Sequence, residues 1–372
     1  MFLRTFGGSL AVAAVGLVAG WLYGGTTGLA LTAILAVLEV SLSFDNAVVN
    51  ATVLVRMSPF WQRLFLTVGV AIAVFGMRLL FPLLIVGVTA KLNPAEAIRL
   101  ALEKGDPDKP GTYGYLLQQA HPAIAAFGGM FLLMIFLDFM FETREITWLT
   151  WLERPLARIG KLDQLSVIIA LGTLAVAAYT LGANADTATH NRTSTVLISG
   201  VLGLMTYLVV SGLDSFFEQE EGADEDLDAT LERRKAMHVV GKQAFFLFLY
   251  LEVLDASFSF DGVVGAFAIT SDPIIIAIGL GIGAMFIRSL TVFLVRKGTL
   301  SEYVYLEHGA LWAIGALAVI LLITIEYKVP EVVTGLIGVA FIGAALVSSI
   351  VRNRRLAAAE EHASADQAPA AV

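Results

Sequence analysis

The sequence predicts an all-α, polytopic membrane bundle of about ten spans, arranged as an inverted-topology repeat. Three observations predict it. Of the 372 residues, 57% are hydrophobic and only 15% charged, against about a quarter charged in ordinary soluble domains. The apolar residues are blocked into runs near the roughly 20 residues that a spanning helix needs. An acidic motif recurs in the two halves, followed each time by an arginine inside an apolar run.

Read in order, the apolar runs fall at 7–24, 28–55, 62–90, 121–142, 165–185, 194–213, 241–269, 273–296, 309–326 and 332–351. The first resembles a signal peptide, but the next apolar run follows almost at once, so it reads as a retained helix. The breaks carry turn chemistry: Gly24-Gly25, Ser58-Pro59, Asp106-Pro107, Asp272-Pro273 and Val329-Pro330. Two longer polar segments stand out at 91–120 and 214–240; the second holds an acidic run around Glu218–Glu221 and Asp224–Asp226. The expected organisation is 1–190 as the first membrane repeat, 191–355 as the second, and 356–372 as a disordered tail, Ala-rich and polar.

Of the 24 Lys and Arg, sixteen fall on one side of this layout and six on the other, with Arg78 and Arg288 inside spans. Positive charge stays on the cytoplasmic face, so the expectation is a multi-pass cell-membrane protein with both termini in the cytoplasm. Its natural partner is the lipid bilayer. A homo-oligomer is compatible with this layout, and no part reads as a nucleic-acid surface. Cysteine is absent, which excludes disulfides, thiolate metal sites and cysteine nucleophiles.

The second apolar run contains Glu39-Val-Ser41-Leu-Ser43-Phe-Asp45-Asn46, and the seventh contains Asp255-Ala-Ser257-Phe-Ser259-Phe-Asp261-Gly262. Arg78 lies in the third run and Arg288 in the eighth. The same order of parts in both halves, with five spans per half, requires the halves to be inverted, a common transporter design. Charged residues near a helix centre cost about 2.5–3.5 kcal/mol each on insertion scales. Five acids (Glu39, Asp45, Glu252, Asp255, Asp261) against two arginines leave a net negative core that wants a cation or protons.

The donors are hard oxygens: those carboxylates, the Asn46 amide and the hydroxyls of Ser43 and Ser259, with Ser41 and Ser257 nearby. This set suits Mn, Mg or Ca rather than Zn or Cu. The expected metal-holding residues are therefore Glu39, Asp45, Asn46, Glu252, Asp255 and Asp261, with Arg78 and Arg288 as counter-ions. Glu39, Ser43 and Asn46 share one helical face, as do Glu252, Asp255 and Ser259, whereas Asp45 and Asp261 point elsewhere in an ideal helix. Both motif helices are therefore expected to open around Ser-Phe-Asp; an uninterrupted hydrogen-bond ladder through 41–47 and 257–263 would refute this.

The motif Glu39-x-Ser-Leu-Ser-Phe-Asp-Asn-Ala, its second acidic copy and the arginine after each resemble the TerC family of integral membrane proteins, within a larger lysine-exporter-like group. The resemblance covers the motif helices and the helix after each. It implies manganese efflux, or delivery of metal to exported enzymes, with Glu39, Asp45 and Asn46 matching the first motif and Asp255 and Asp261 the second. Gly262 stands where repeat symmetry expects Asn, and Glu252 has only Ala36 opposite it.

The leading expectation is a secondary exporter of a divalent cation, manganese first and Ca or Mg as alternatives, with no permanently bound cofactor and no enzymatic activity. No P-loop is present, so ATP is not the direct energy source. Two other classes compete: an intramembrane aspartyl-type enzyme built on Asp45 and Asp261, and an exporter of an amino acid or other organic cation, which needs a larger pocket. Asp138, Glu142 and Glu326 read as interfacial charges or a vestibule, His121, His238 and His308 as scattered, and Gly279, Gly281 and Gly283 as a close-packing row.

Overall fold

The computed structural model describes residues 2–366, except 70, 104, 107, 145, 161, 163, 183–191, 222–240, 271 and 298–301. Within helices some side chains, among them those of Ser41, Asp45 and Asp261, also lie outside the described set, as does most of the acidic segment 214–240. The described residues form helices and connecting turns with no strand. Helices satisfy every backbone group internally, which hydrocarbon demands.

In chain order the helices are α1 (Phe2–Leu42), α2 (Phe44–Leu54), α3 (Pro59–Leu64), α4 (Phe81–Thr89), α5 (Pro94–Leu102), α6 (Tyr113–Phe141), α7 (Thr150–Ile159), α8 (Leu165–Ala177), α9 (Arg192–Glu221), α10 (Gly241–Ile269), α11 (Pro273–Lys297), α12 (Leu306–Ile323) and α13 (Glu331–Asp366). Among the described residues, eight helices are long and apolar enough to cross a membrane. Two features separate this number from the ten predicted runs. The first two runs join in one helix, α1, and α10, 29 residues long, is not among the eight.

The join in α1 is a reversal. Gly25 has φ 64° and ψ −150°, a conformation open to glycine because it lacks a Cβ. In a straight helix Gly20 and Gly28 would stand about 12 Å apart, yet a Cβ on Gly28 would strike the Gly20 carbonyl and one on Gly20 would strike Thr32. The two arms therefore lie side by side. Both pack along α11: Gly16 meets Ile278 and Ile282 from the first arm, and Gly279 and Gly283 meet Leu35 and Glu39 from the second. The predicted glycine row is thus a groove into which α1 settles.

The third apolar run is not a plain α-helix. Between α3 and α4 the chain is π-helical over Phe65–Gly69 and Ile72–Leu80, a wide turn found mostly at functional positions. At the centre of the bundle, α6 is buried along most of its length, with Met130–Ile135 packed against α9, α10 and α12.

One predicted helix opening is present and the other is not. The first motif helix breaks at Ser43 (φ −97°, ψ 17°) between α1 and α2, whereas α10 runs unbroken through 257–263. The second opening is therefore withdrawn. Within α10 the Ser257 Oγ donates back to the Val253 carbonyl at 2.9 Å. The backbone stays helical past Arg355 to Asp366, since an Ala- and Glu-rich run is a good helix former.

Candidate functional site

Two buried acid–arginine clusters sit where α1, α10, α11 and the π-helical span meet. In the first, Glu39 is 1% exposed. Its Oε1 accepts from Arg78 Nη2 and from Ser43 Oγ, the latter at 3.1 Å. Arg78 Nη1 also donates to the Ala73 carbonyl at 2.6 Å. The packing around Glu39 depends on two glycines. A Cβ on Gly283 would collide with the Glu39 stem, and one on Gly262 would lie 3.0 Å from Oε2. Gly262 stands in place of the symmetry-expected Asn because the Glu39 carboxylate occupies the space a side chain would need.

The second cluster is looser. Arg288, 3% exposed, spreads its donors over Gly69 O at 3.2 Å, Phe65 O at 3.4 Å and Asp255 Oδ2 at 3.5 Å. Its guanidinium lies 3.8 Å above the Phe65 ring. Glu252 Oε1 is 3.9 Å from Arg288 Nη2, an ion pair too long for a hydrogen bond. Neither Glu252 oxygen has a hydrogen-bond partner among the described residues, although the residue is buried. Gly69 is again a close approach, where a Cβ would meet Glu252 Oε1.

The clusters are separate. Glu39 faces Gly262, and Asp255 lies seven residues away on α10, about 10 Å along its axis. Among the described residues no three acids or histidines converge into a group that could hold a metal. The side chains of Asp45 and Asp261 lie outside that set. Asn46 and Ser259 are buried nearby, and the Ser259 hydroxyl has no partner among the described residues.

One residue went unread in the sequence: Asn50, wholly buried, with neither amide atom hydrogen-bonded among the described residues. The signal was available, because Glu39, Ser43, Asn46 and Asn50 continue the spacing i, i+4, i+7, i+11. Leaving a buried amide unmet costs about 1–3 kcal/mol, so Asn50 belongs with the polar set. Asp138, at the far end of α6, accepts from Tyr207 Oη at 2.5 Å and lines an open cleft of about 780 Å³ with Tyr250 and Ser211.

A family described as protein of unknown function, DUF475, matches residues 44–356. The chain belongs to that family. Its match takes in α2 through most of α13, and so includes both arginines and the whole second motif. No curated protein and no solved structure matches the chain. Together with its eight apolar helices, the family places the chain among multi-pass membrane proteins.

Proposed function

We propose that this protein is a secondary transporter that exports a divalent cation, manganese foremost, and that it is not an enzyme. The observation that carries this reading is Glu252: a buried carboxylate with two unpartnered oxygens, sharing a single arginine with Asp255. A carboxylate so placed inside hydrocarbon asks for a proton or a cation. Asp255, Asn46, Asn50 and Ser259 offer further hard oxygens, and Asp45 and Asp261 extend the set by sequence. Such donors suit Mn, Mg or Ca. The TerC resemblance favours manganese among them.

The reading includes ten spans and an inverted repeat, with both termini in the cytoplasm of a cell-membrane protein. Pairing supports the repeat: in each half the arginine comes from the run after the motif and pairs with the acid of that same motif, Arg78 with Glu39 and Arg288 with Asp255. Loop charge supports the orientation.

The arginines are built to let go. Arg288 keeps two backbone carbonyls and a ring face when it releases Asp255, so an arriving cation can replace it without leaving a bare guanidinium. Arg78 has the Ala73 carbonyl in the same role. All three carbonyls come from the third run, two of them from its first π-helical segment and one from its second. The cation enters as Arg288 swings toward that segment, and the arginine returns as the cation leaves. Protons or the membrane potential supply the drive.

A second reading, export of an organic cation, draws support from the open cleft beside Asp138 and Tyr207, which has room for more than a bare ion. Manganese loss from loaded cells separates the two. Wild type should empty cells faster than Asp45→Asn or Glu252→Gln; equal loss from all three, with expression matched, sinks metal export and turns attention to organic solutes.

A further inference from the structure

α7 sits where two apolar helices reach the same end of the bundle: α6 finishes at Phe141, α8 starts at Leu165, and Gly160 packs on the Phe141 backbone. By loop charge this is the cytoplasmic end. Ten residues make a rod about 15 Å long, and it is pinned from inside. Buried Glu153 accepts from Trp148 N at 3.0 Å, Leu149 N at 3.1 Å and Trp312 Nε1 at 3.4 Å.

Its outer face is different in kind. Trp151, Pro155 and Ile159 recur at every fourth position and all are exposed, Trp151 to 76%, with exposed Leu162 extending the stripe. Exposed Arg154 and Arg158 run beside it, and neither forms an ion pair among the described residues. Arg144, by contrast, is held by Glu142 at 2.6 Å and lies over the Phe139 ring. A cleft of about 230 Å³ opens among Thr143, Thr147, Arg154 and Arg158. Its two carboxylates are both engaged: Glu142 with Arg144, and Glu153 with the α7 start.

We infer that α7 is an interfacial helix that binds anionic phospholipid. The Trp151–Ile159 stripe enters the acyl boundary, and Arg154 and Arg158 hold the headgroup phosphate, with the Thr143 and Thr147 hydroxyls within the same cleft. An exposed indole at a span end is a natural interfacial anchor, and two unpaired arginines beside it supply the charge that such helices use. This assignment is independent of what the protein transports.

The test titrates the purified full chain in detergent with brominated phosphatidylglycerol or brominated phosphatidylcholine. The readout is the tryptophan quenching that Trp151→Phe removes. Phosphatidylglycerol should quench Trp151 at lower concentration than phosphatidylcholine. Arg154→Gln with Arg158→Gln should raise the phosphatidylglycerol midpoint about thirty-fold, at about fivefold per lost charge. The paired Lys variants should keep the wild-type midpoint. Equal midpoints for the two lipids, an unshifted Gln variant, or displacement of the lipid by equimolar inorganic phosphate would each overturn the assignment.

Discussion

The two motif regions carry similar sequences and hold their charges in opposite ways. Around Glu39 everything is closed: one acid, one arginine, a serine hydroxyl, and glycines that bring two helices against the carboxylate. Around Glu252 and Asp255, two acids share an arginine that gives its better hydrogen bonds to backbone carbonyls. The helix geometry is reversed as well, since the closed cluster lies beside the broken helix and the loose one lies on the unbroken α10. The contrast teaches that a recurring sequence motif sets where charges go, while local packing sets how firmly they are held. A firmly paired acid stabilises; a loosely paired one is available to a ligand.

Four measurements break or sharpen the contrast. Arg78→Ala strands Glu39 in the interior and should cost about 3–5 kcal/mol, read from denaturant unfolding in detergent. Gly283→Ala pushes a methyl into the Glu39 stem and should cost about 1–3 kcal/mol in the same assay. Ser43→Ala removes one hydrogen bond to a charged acceptor that Arg78 still satisfies, and about 1 kcal/mol is expected. Glu252→Gln has no hydrogen bond to lose, so unfolding should change by less than about 1 kcal/mol while manganese efflux disappears. If Glu252→Gln proves as damaging to stability as Arg78→Ala, the second cluster is as structural as the first and the contrast is gone.

Much of the fold was legible in composition. Apolar run length and turn residues located the helices, and Gly24-Gly25 marked the reversal that turns α1 back on itself. The site was legible as a list: Glu39, Arg78, Glu252, Asp255 and Arg288 were all named from charge buried in apolar runs, and all are buried. Asn50 escaped because an uncharged amide raises no alarm in a hydropathy reading, although its spacing continues the Glu39 face.

By itself the sequence determined that this chain lies in a membrane, that it repeats an acid–arginine pattern, and which residues pay the burial penalty. Those properties follow from composition and period, which are local. Only the tertiary structure decided that Glu39 meets Gly262 and not Asp255, that α10 stays continuous where α1 breaks, and that the third run unwinds into π-helix whose carbonyls receive both arginines. These depend on which helices touch and at what height, and hydropathy is blind to both.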